Sequence, residues 1–262
     1  MQEKLQELLT LSQTMGDPAK DYVIVGEGNT SCRIDADSFW IKASGQRLGS
    51  IDETGFVAVH FDPILAMLDD HPGTLSEQKA IMQAARVDPE SPLRPSVEVS
   101  FHAMLLKECD VAYVGHTHPV TVNQIMCSSR AEDFARNRLF PDEAVLCGPE
   151  SVFVPYVDPG LPLALAIRDA VRQYMKQYDE APKVILMANH GVIVLGQTPD
   201  EILNITAMCV KAAQIFVGAC AVGEPVFMTR EEIRHIYKRP DEIYRRQQFV
   251  IGSVPEDEDT PA

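Results

Sequence analysis

Four consecutive residues, His116-Thr117-His118-Pro119, follow the apolar run Val111-Ala112-Tyr113-Val114. If that run is a buried strand, alternation sends the His116 and His118 side chains to the same side. Two imidazoles about 7 Å apart along a strand can share one metal ion. A third histidine, His190, ends a second apolar run, Val184–Ala188, within Asn189-His190-Gly191. The sequence separation of 72 between His118 and His190 is no obstacle, because neighbouring strand ends meet in space. With the carboxylate of Glu98 nearby, three histidines make the donor set of a catalytic metal site with an open position.

Each of these residues also has a plainer reading. Glu98 falls near a helix start, where the helix dipole favours a carboxylate without any catalytic role. His102, four residues on, shares its helix face and could be a fourth ligand, a supporting partner or simply packed, and packing is the expectation. Asn189 and Asp110 are candidates for orienting histidine ring nitrogens. Gly26-Glu27-Gly28-Asn29-Thr30-Ser31 could let backbone amides approach an anion, and Ser44-Gly45 beside Lys42 is a second such turn. Both also read as ordinary hairpin turns, and the first is no dinucleotide fingerprint, since a strand follows it.

The elements that must position these groups are legible from periodicity and breakers. Residues 1–15 form a helical face ended by Gly16. Short strands are expected at Tyr22–Val25, Ser31–Ile34, Phe39–Ala43 and Phe56–Phe61, with a hairpin turn at Asp35–Ser38. Helices follow at Asp62–Asp70 and Leu75–Arg86, then a proline-marked loop over Asp88–Pro95. Ser96 is placed as the N-cap of a helix to about Lys107. Beyond the histidine strand come a helix at Ala131–Arg138, strands at Ala144–Cys147 and Val152–Val154, and a helix at Leu161–Tyr178. Strands at Val184–Ala188 and Val192–Leu195 precede a helix opened by Thr198-Pro199-Asp200-Glu201 and running to about Ala221. Thr229-Arg230-Glu231-Glu232 opens another. The pattern is a single mixed α/β domain over residues 1–250 with a largely antiparallel sheet, followed by an acidic, disordered tail at 251–262.

Composition narrows the function classes. The chain has 262 residues, 45% hydrophobic and 23% charged, with a formal net charge of −15. Such a charge draws neither nucleic acid nor an anionic membrane surface. No uninterrupted apolar stretch approaches the roughly 18 residues of a membrane span, and Met1–Leu5 do not begin a signal sequence. Six scattered cysteines without a C-x-x-C pair fit reduced thiols in a cytoplasmic protein.

Taken in order, Gly28–Ser31 with Arg33, Ile41–Gly45, Pro95–Glu98 through Phe101-His102, His116–Pro119 and Asn189–Gly191 resemble the class II aldolase/adducin family of fuculose- and rhamnulose-phosphate aldolases. The resemblance spans about residues 5–225. It implies a three-layer α/β/α sandwich, usually a homotetramer with active sites between subunits. It implies Zn2+, or another divalent ion such as Mn2+ or Co2+, on His116, His118 and His190, with Glu98 as general acid/base. Asn29, Ser44, Gly45 and Ser96 match the family's phosphate contacts. The activity implied is aldol cleavage of a ketose, as its 1-phosphate, through a metal-stabilised enediolate. The same scaffold serves sugar-phosphate 4-epimerases, sugar-acid decarboxylases and methylthioribulose-phosphate dehydratases, and a non-enzymatic adducin-like assembly domain. Two departures bear on the phosphate: Val97 stands where a second serine is common, and Glu27 brings a negative charge into the glycine loop, so an unphosphorylated hydroxy-ketone, or a phosphate bound differently, is the alternative substrate reading. The family's tyrosine proton donor has no clear counterpart, and Tyr237 and Tyr244 are candidates by location alone.

Overall fold

The computed structural model describes residues 2–71 and 73–251, and of the acidic tail expected to be disordered at 251–262, residues 252–262 lie outside the described residues while Ile251 ends a helix. A seven-stranded mixed sheet forms the middle layer. In chain order its strands are β1 (Asn29–Arg33), β2 (Ser38–Lys42), β3 (Phe56–His60), β4 (Tyr113–Thr117), β5 (Val152–Val154), β6 (Val184–Met187) and β7 (Gly191–Gly196). In space the order is β3-β2-β1-β4-β7-β6-β5, antiparallel throughout except for the parallel pair β5–β6.

Helices cover both faces, as the expected sandwich requires. On one face lie α2 (Phe61–Asp70), α3 (Leu75–Ala84), α4 (Val99–Glu108) and α8 (Leu161–Tyr178). The other carries α1 (Gln2–Met15), α5 (Val120–Met126), α6 (Ala131–Arg136), α7 (Pro141–Cys147) and α9 (Pro199–Val222), with α10 (Arg230–Tyr237) and α11 (Pro240–Ile251) packed outside α7. Alternation sorts the strand residues between two cores. Val114, Ile193, Leu195, Ile185 and Met187 face α4 and α8, whereas Tyr113, Val192, Val194, Val184 and Leu186 face α1 and α9. Every residue of β4, β6 and β7 is buried, which is why these strands read as continuous apolar runs. Burying one such Val, Leu or Ile side chain contributes about 1.5–3 kcal/mol.

The helix-start signals hold at α9 and α10. Thr198 Oγ1 accepts the Glu201 N–H at 3.1 Å, while the Glu201 carboxylate accepts the Gln197 N–H at 2.7 Å. Thr229 and Glu232 close a full capping box. By length and composition α9 could cross a membrane, with a mean hydropathy of 1.8 in its most apolar window. Its Ile202, Ile205, Cys209 and Phe216 are nevertheless packed in the second core.

Four expectations need correction. Tyr22–Val25 is an irregular loop, and Val25 takes a left-handed φ of 53°, which no strand residue adopts. Ala144–Cys147 belongs to α7, which starts with Pro141 at its first turn followed by Asp142 and Glu143, a helix-start pattern that outweighs the short apolar run. Helix α4 begins at Val99 with Glu98 at the capping position, so Ser96 caps no helix; its hydroxyl instead accepts the Glu98 N–H at 3.3 Å. The histidine strand runs Tyr113–Thr117, so His116 lies within it and not beyond it.

Candidate metal centre

Strand β4 delivers the first histidine. His116 pairs with Asn29 of β1 on one side and Ile193 of β7 on the other, and its ring points to the α4 face, edge-on to Phe101 at 5.8 Å between centroids. His118 sits just past the strand end, its N–H donating to the Tyr22 carbonyl at 2.8 Å. His190 occupies the tight turn between β6 and β7. Asn189 takes a left-handed φ of 55° there, which explains an asparagine at that position. The Asn189 N–H to Met126 carbonyl bond (3.0 Å) and the Asn123 side-chain amide to His190 carbonyl bond (2.9 Å) tie the turn to α5.

The three rings converge. One nitrogen from each of His116, His118 and His190 lies within 4.8 Å of the others, and the Nε2 atoms of His116 and His118 are 3.0 Å apart. Nitrogens bound tetrahedrally to one zinc at about 2.0–2.1 Å stand about 3.3 Å from each other, so small ring movements close the set. His116 Nδ1–H donates to the Val192 carbonyl at 3.0 Å, leaving the Nε2 lone pair for a cation. Three imidazole nitrogens with a carboxylate alongside suit a divalent ion with an open position.

Glu98 faces this cluster. Its Oε1 is 3.3 Å from His190 Nε2, and its Oε2 is 3.5 Å from His116 Nε2. Burial alone would raise its pKa, but His116, His190 and the Asn29 amide outweigh burial and hold the carboxyl well below its ordinary range. Desolvation lowers the His116 and His118 pKa values, that of His118 to about 4, with neighbouring histidines adding to the effect, so both rings are neutral near pH 7. Gly191 is required by close packing: a Cβ there would stand 2.6 Å from the Thr117 carbonyl oxygen and 2.7 Å from His118 Cδ2.

Of the residues matched to phosphate contacts, Asn29 and Ser96 touch Glu98. An isolated bridge between Ala43 and Pro95 sets the exposed Ser44-Gly45 turn beside the Ser96 segment. Asn29 Nδ2 donates to Glu98 Oε2 at 2.7 Å and to Ser96 Oγ at 3.2 Å, so in this arrangement Asn29 serves the carboxylate. Lys42, almost fully buried, donates to the Gly26 carbonyl at 3.2 Å and the Gln46 carbonyl at 2.7 Å, clamping the glycine loop to the second turn.

Other candidates fall elsewhere. Asp110 pairs with Arg33 and Asn189 is exposed, so neither orients a histidine. Tyr237 donates to Glu180 and stacks with Arg246, and Tyr244 is exposed. His102 is outside the ligand cluster, and it is more than packed, because both ring nitrogens are hydrogen-bonded. Glu27 is more than an unfavourable charge in the glycine loop. Its Oε1 lies 3.7 Å from His118 Nδ1, the nitrogen turned away from the cluster, where a carboxylate steadies a metal-binding imidazole.

The chain is similar to several known proteins. It is 26% identical to the Uncharacterized oxidoreductase YuxG of Bacillus subtilis over 88% of its own length but 31% of that protein, so it spans about a third of this relative. It is 22% identical to a 3-oxo-tetronate 4-phosphate decarboxylase of Haemophilus influenzae, covering 84% of this chain and 90% of that one. Among solved structures, an L-fuculose 1-phosphate aldolase superposes with a TM-score of 0.68 at 19% identity, covering 91% of this chain and 96% of that one. The family model for the Class II Aldolase and Adducin N-terminal domain matches residues 6–217, and the chain belongs to that family.

Proposed function

We propose that the protein is a divalent-metal-dependent aldolase that cleaves a ketose, as its 1-phosphate, into two carbonyl fragments. The observation that carries this reading is the convergence of His116, His118 and His190 on one point with Glu98 against it. His116, His118 and His190 would hold the ion, zinc being the choice their nitrogen donors favour, with manganese or cobalt as alternatives. When bound, the ion supplies Lewis-acid stabilisation of the negative charge that develops on the ketose oxygens, worth several kcal/mol at the transition state.

The chain's own residues supply the rest. Glu98 exchanges a proton with the donor carbon, being ionised, buried and beside the ligand cluster. Ser44, Gly45 and Ser96 contact the phosphate, and Asn29 does so if substrate draws its amide from Glu98. Ile24, Val25, Val97 and Val120 are large apolar side chains left exposed, with Val97 next to Glu98 in the chain and Val120 two residues past His118, which supports a homotetramer whose sites lie between subunits.

Decarboxylation of a sugar acid is the second reading, and the relationship to a 3-oxo-tetronate 4-phosphate decarboxylase favours it over epimerisation. It needs the same charge stabilisation and differs only in the fragment lost. A screen of ketose 1-phosphates and 3-oxo acid phosphates with the zinc-loaded protein separates the two. Aldehyde release that a chelator suppresses supports the aldolase; carbon dioxide release identifies the decarboxylase. Turnover retained in metal-free protein, or in His116→Ala, defeats both.

A further inference from the structure

His102 has no part in the function just proposed, yet it is fully buried at the centre of a polar chain. Ser31 Oγ lies 2.7 Å from its Nδ1, and its Nε2 is hydrogen-bonded to Asn29 Oδ1. Asn29 Nδ2 continues to Glu98 Oε2 at 2.7 Å and Ser96 Oγ at 3.2 Å. Ser31, Asn29, Ser96 and Glu98 are all 7% exposed or less.

The direction of every bond in this chain follows from one charge. Ionised Glu98 only accepts, so Asn29 must turn its NH2 toward it. That orientation leaves the Asn29 carbonyl facing His102, which requires Nε2 to carry the proton. Nδ1 is then the acceptor, and the Ser31 hydroxyl donates to it. Reversing the amide would set a carbonyl oxygen against a buried carboxylate and strand both, and a buried polar group left without a partner is strongly destabilising.

We propose that His102 is a positioning residue for Glu98, acting through Asn29: the Ser31–His102–Asn29 chain fixes the amide and thereby aims the carboxylate at the histidine cluster. Sequence placed His102 on the Glu98 face of α4, but its partners come from β1, 71 and 73 residues away. Both Asn29 donors are spent on Glu98 and Ser96, so the first contact with an anionic substrate group falls to the Ser44-Gly45 turn. This inference rests on the role of Glu98 proposed above.

The test has two independent arms. In zinc-loaded protein labelled with 15N-histidine, His102 is expected as the neutral Nε2–H tautomer, and the Asn29 side-chain amide exchanges slowly with solvent. A neutral Nδ1–H tautomer, or an imidazolium at neutral pH, overturns the proposal whatever the protein catalyses. The second arm follows deuterium uptake from solvent into dihydroxyacetone phosphate, the donor fragment that cleavage of a ketose 1-phosphate would leave. His102→Phe should slow exchange about 10- to 100-fold, the loss typical of removing an outer partner at a metal site, with the half-saturating concentration unchanged. His102→Gln, which keeps an N–H donor, should retain more of the rate. Adding His102→Phe to Asn29→Ala should cost nothing further. Additive losses, or parental exchange in His102→Phe, sink the relay. If the parent itself fails to exchange, the aldolase reading is wrong, and the NMR arm still decides whether the relay exists.

Discussion

Gly191→Ala is a small substitution with a consequence that the geometry fixes. The new methyl would meet the Thr117 carbonyl oxygen at 2.6 Å, His118 Cδ2 at 2.7 Å and His116 Cε1 at 3.4 Å. Relief to ordinary contact at about 3.4 Å needs a displacement of about 0.7–0.8 Å, shared between β4, β7 and the two rings. Functional constellations tolerate about 0.5 Å before they lose their ligand. Overpacking of this kind costs about 1–3 kcal/mol of stability. Metal affinity should fall about 10- to 100-fold, equivalent to about 1.4–2.8 kcal/mol of binding energy. Zinc affinity is read by competition with a chromophoric chelator, and stability by thermal melting. Gly160→Ala is the control: its φ of 106° makes alanine strained, at about 1–3 kcal/mol, but among the described residues no atom lies within 4 Å of the added carbon. It should lower the melting temperature and leave zinc affinity alone. If Gly191→Ala binds zinc as tightly as the parent, the rings are not held as described.

Further outcomes follow from the same geometry. Glu27→Gln should weaken zinc binding about tenfold at an unchanged melting temperature, seen by isothermal titration, because it removes the charge beside His118 Nδ1. His102 has a pKa lowered to about 3 by burial, against 6.5 when exposed. The unfolded chain therefore takes up a proton that the folded protein refuses, and stability is complete above pH 6.5 and declines as pH falls toward 3. His102→Gln should flatten that decline in urea titrations at stepped pH; an unaltered slope would place the acid sensitivity elsewhere. Stripping the metal with a chelator should lower the melting temperature, since an ion held at 100 times its dissociation constant adds about 2.7 kcal/mol.

Much of the site was readable because its residues punctuate apolar runs. The alternation at His116 and His118 and the strand-end position of His190 needed only periodicity, and the two long-range partners met because β4 and β7 pair. The fold class was equally open, since buried strands, capping boxes and short connections each leave local signals. Where reading failed, the deciding force was not local. Tyr22–Val25 is rich in strand-favouring residues, but its carbonyl at Tyr22 is committed to His118 and Val25 turns left-handed. The run Ala144–Cys147 was too short to distinguish strand from helix, though Pro141 and its acidic neighbours marked the helix start. The roles of His102 and Glu27 depend on which ring nitrogen faces which neighbour, and no spacing rule encodes that.

The account turns on three imidazoles holding one ion, and anomalous diffraction at the zinc edge from metal-loaded crystals reads this directly. One peak is expected about 2.0–2.1 Å from a nitrogen of each of His116, His118 and His190, with Glu98 beside it. A peak elsewhere, or no peak at that point in protein shown to contain zinc, would contradict it.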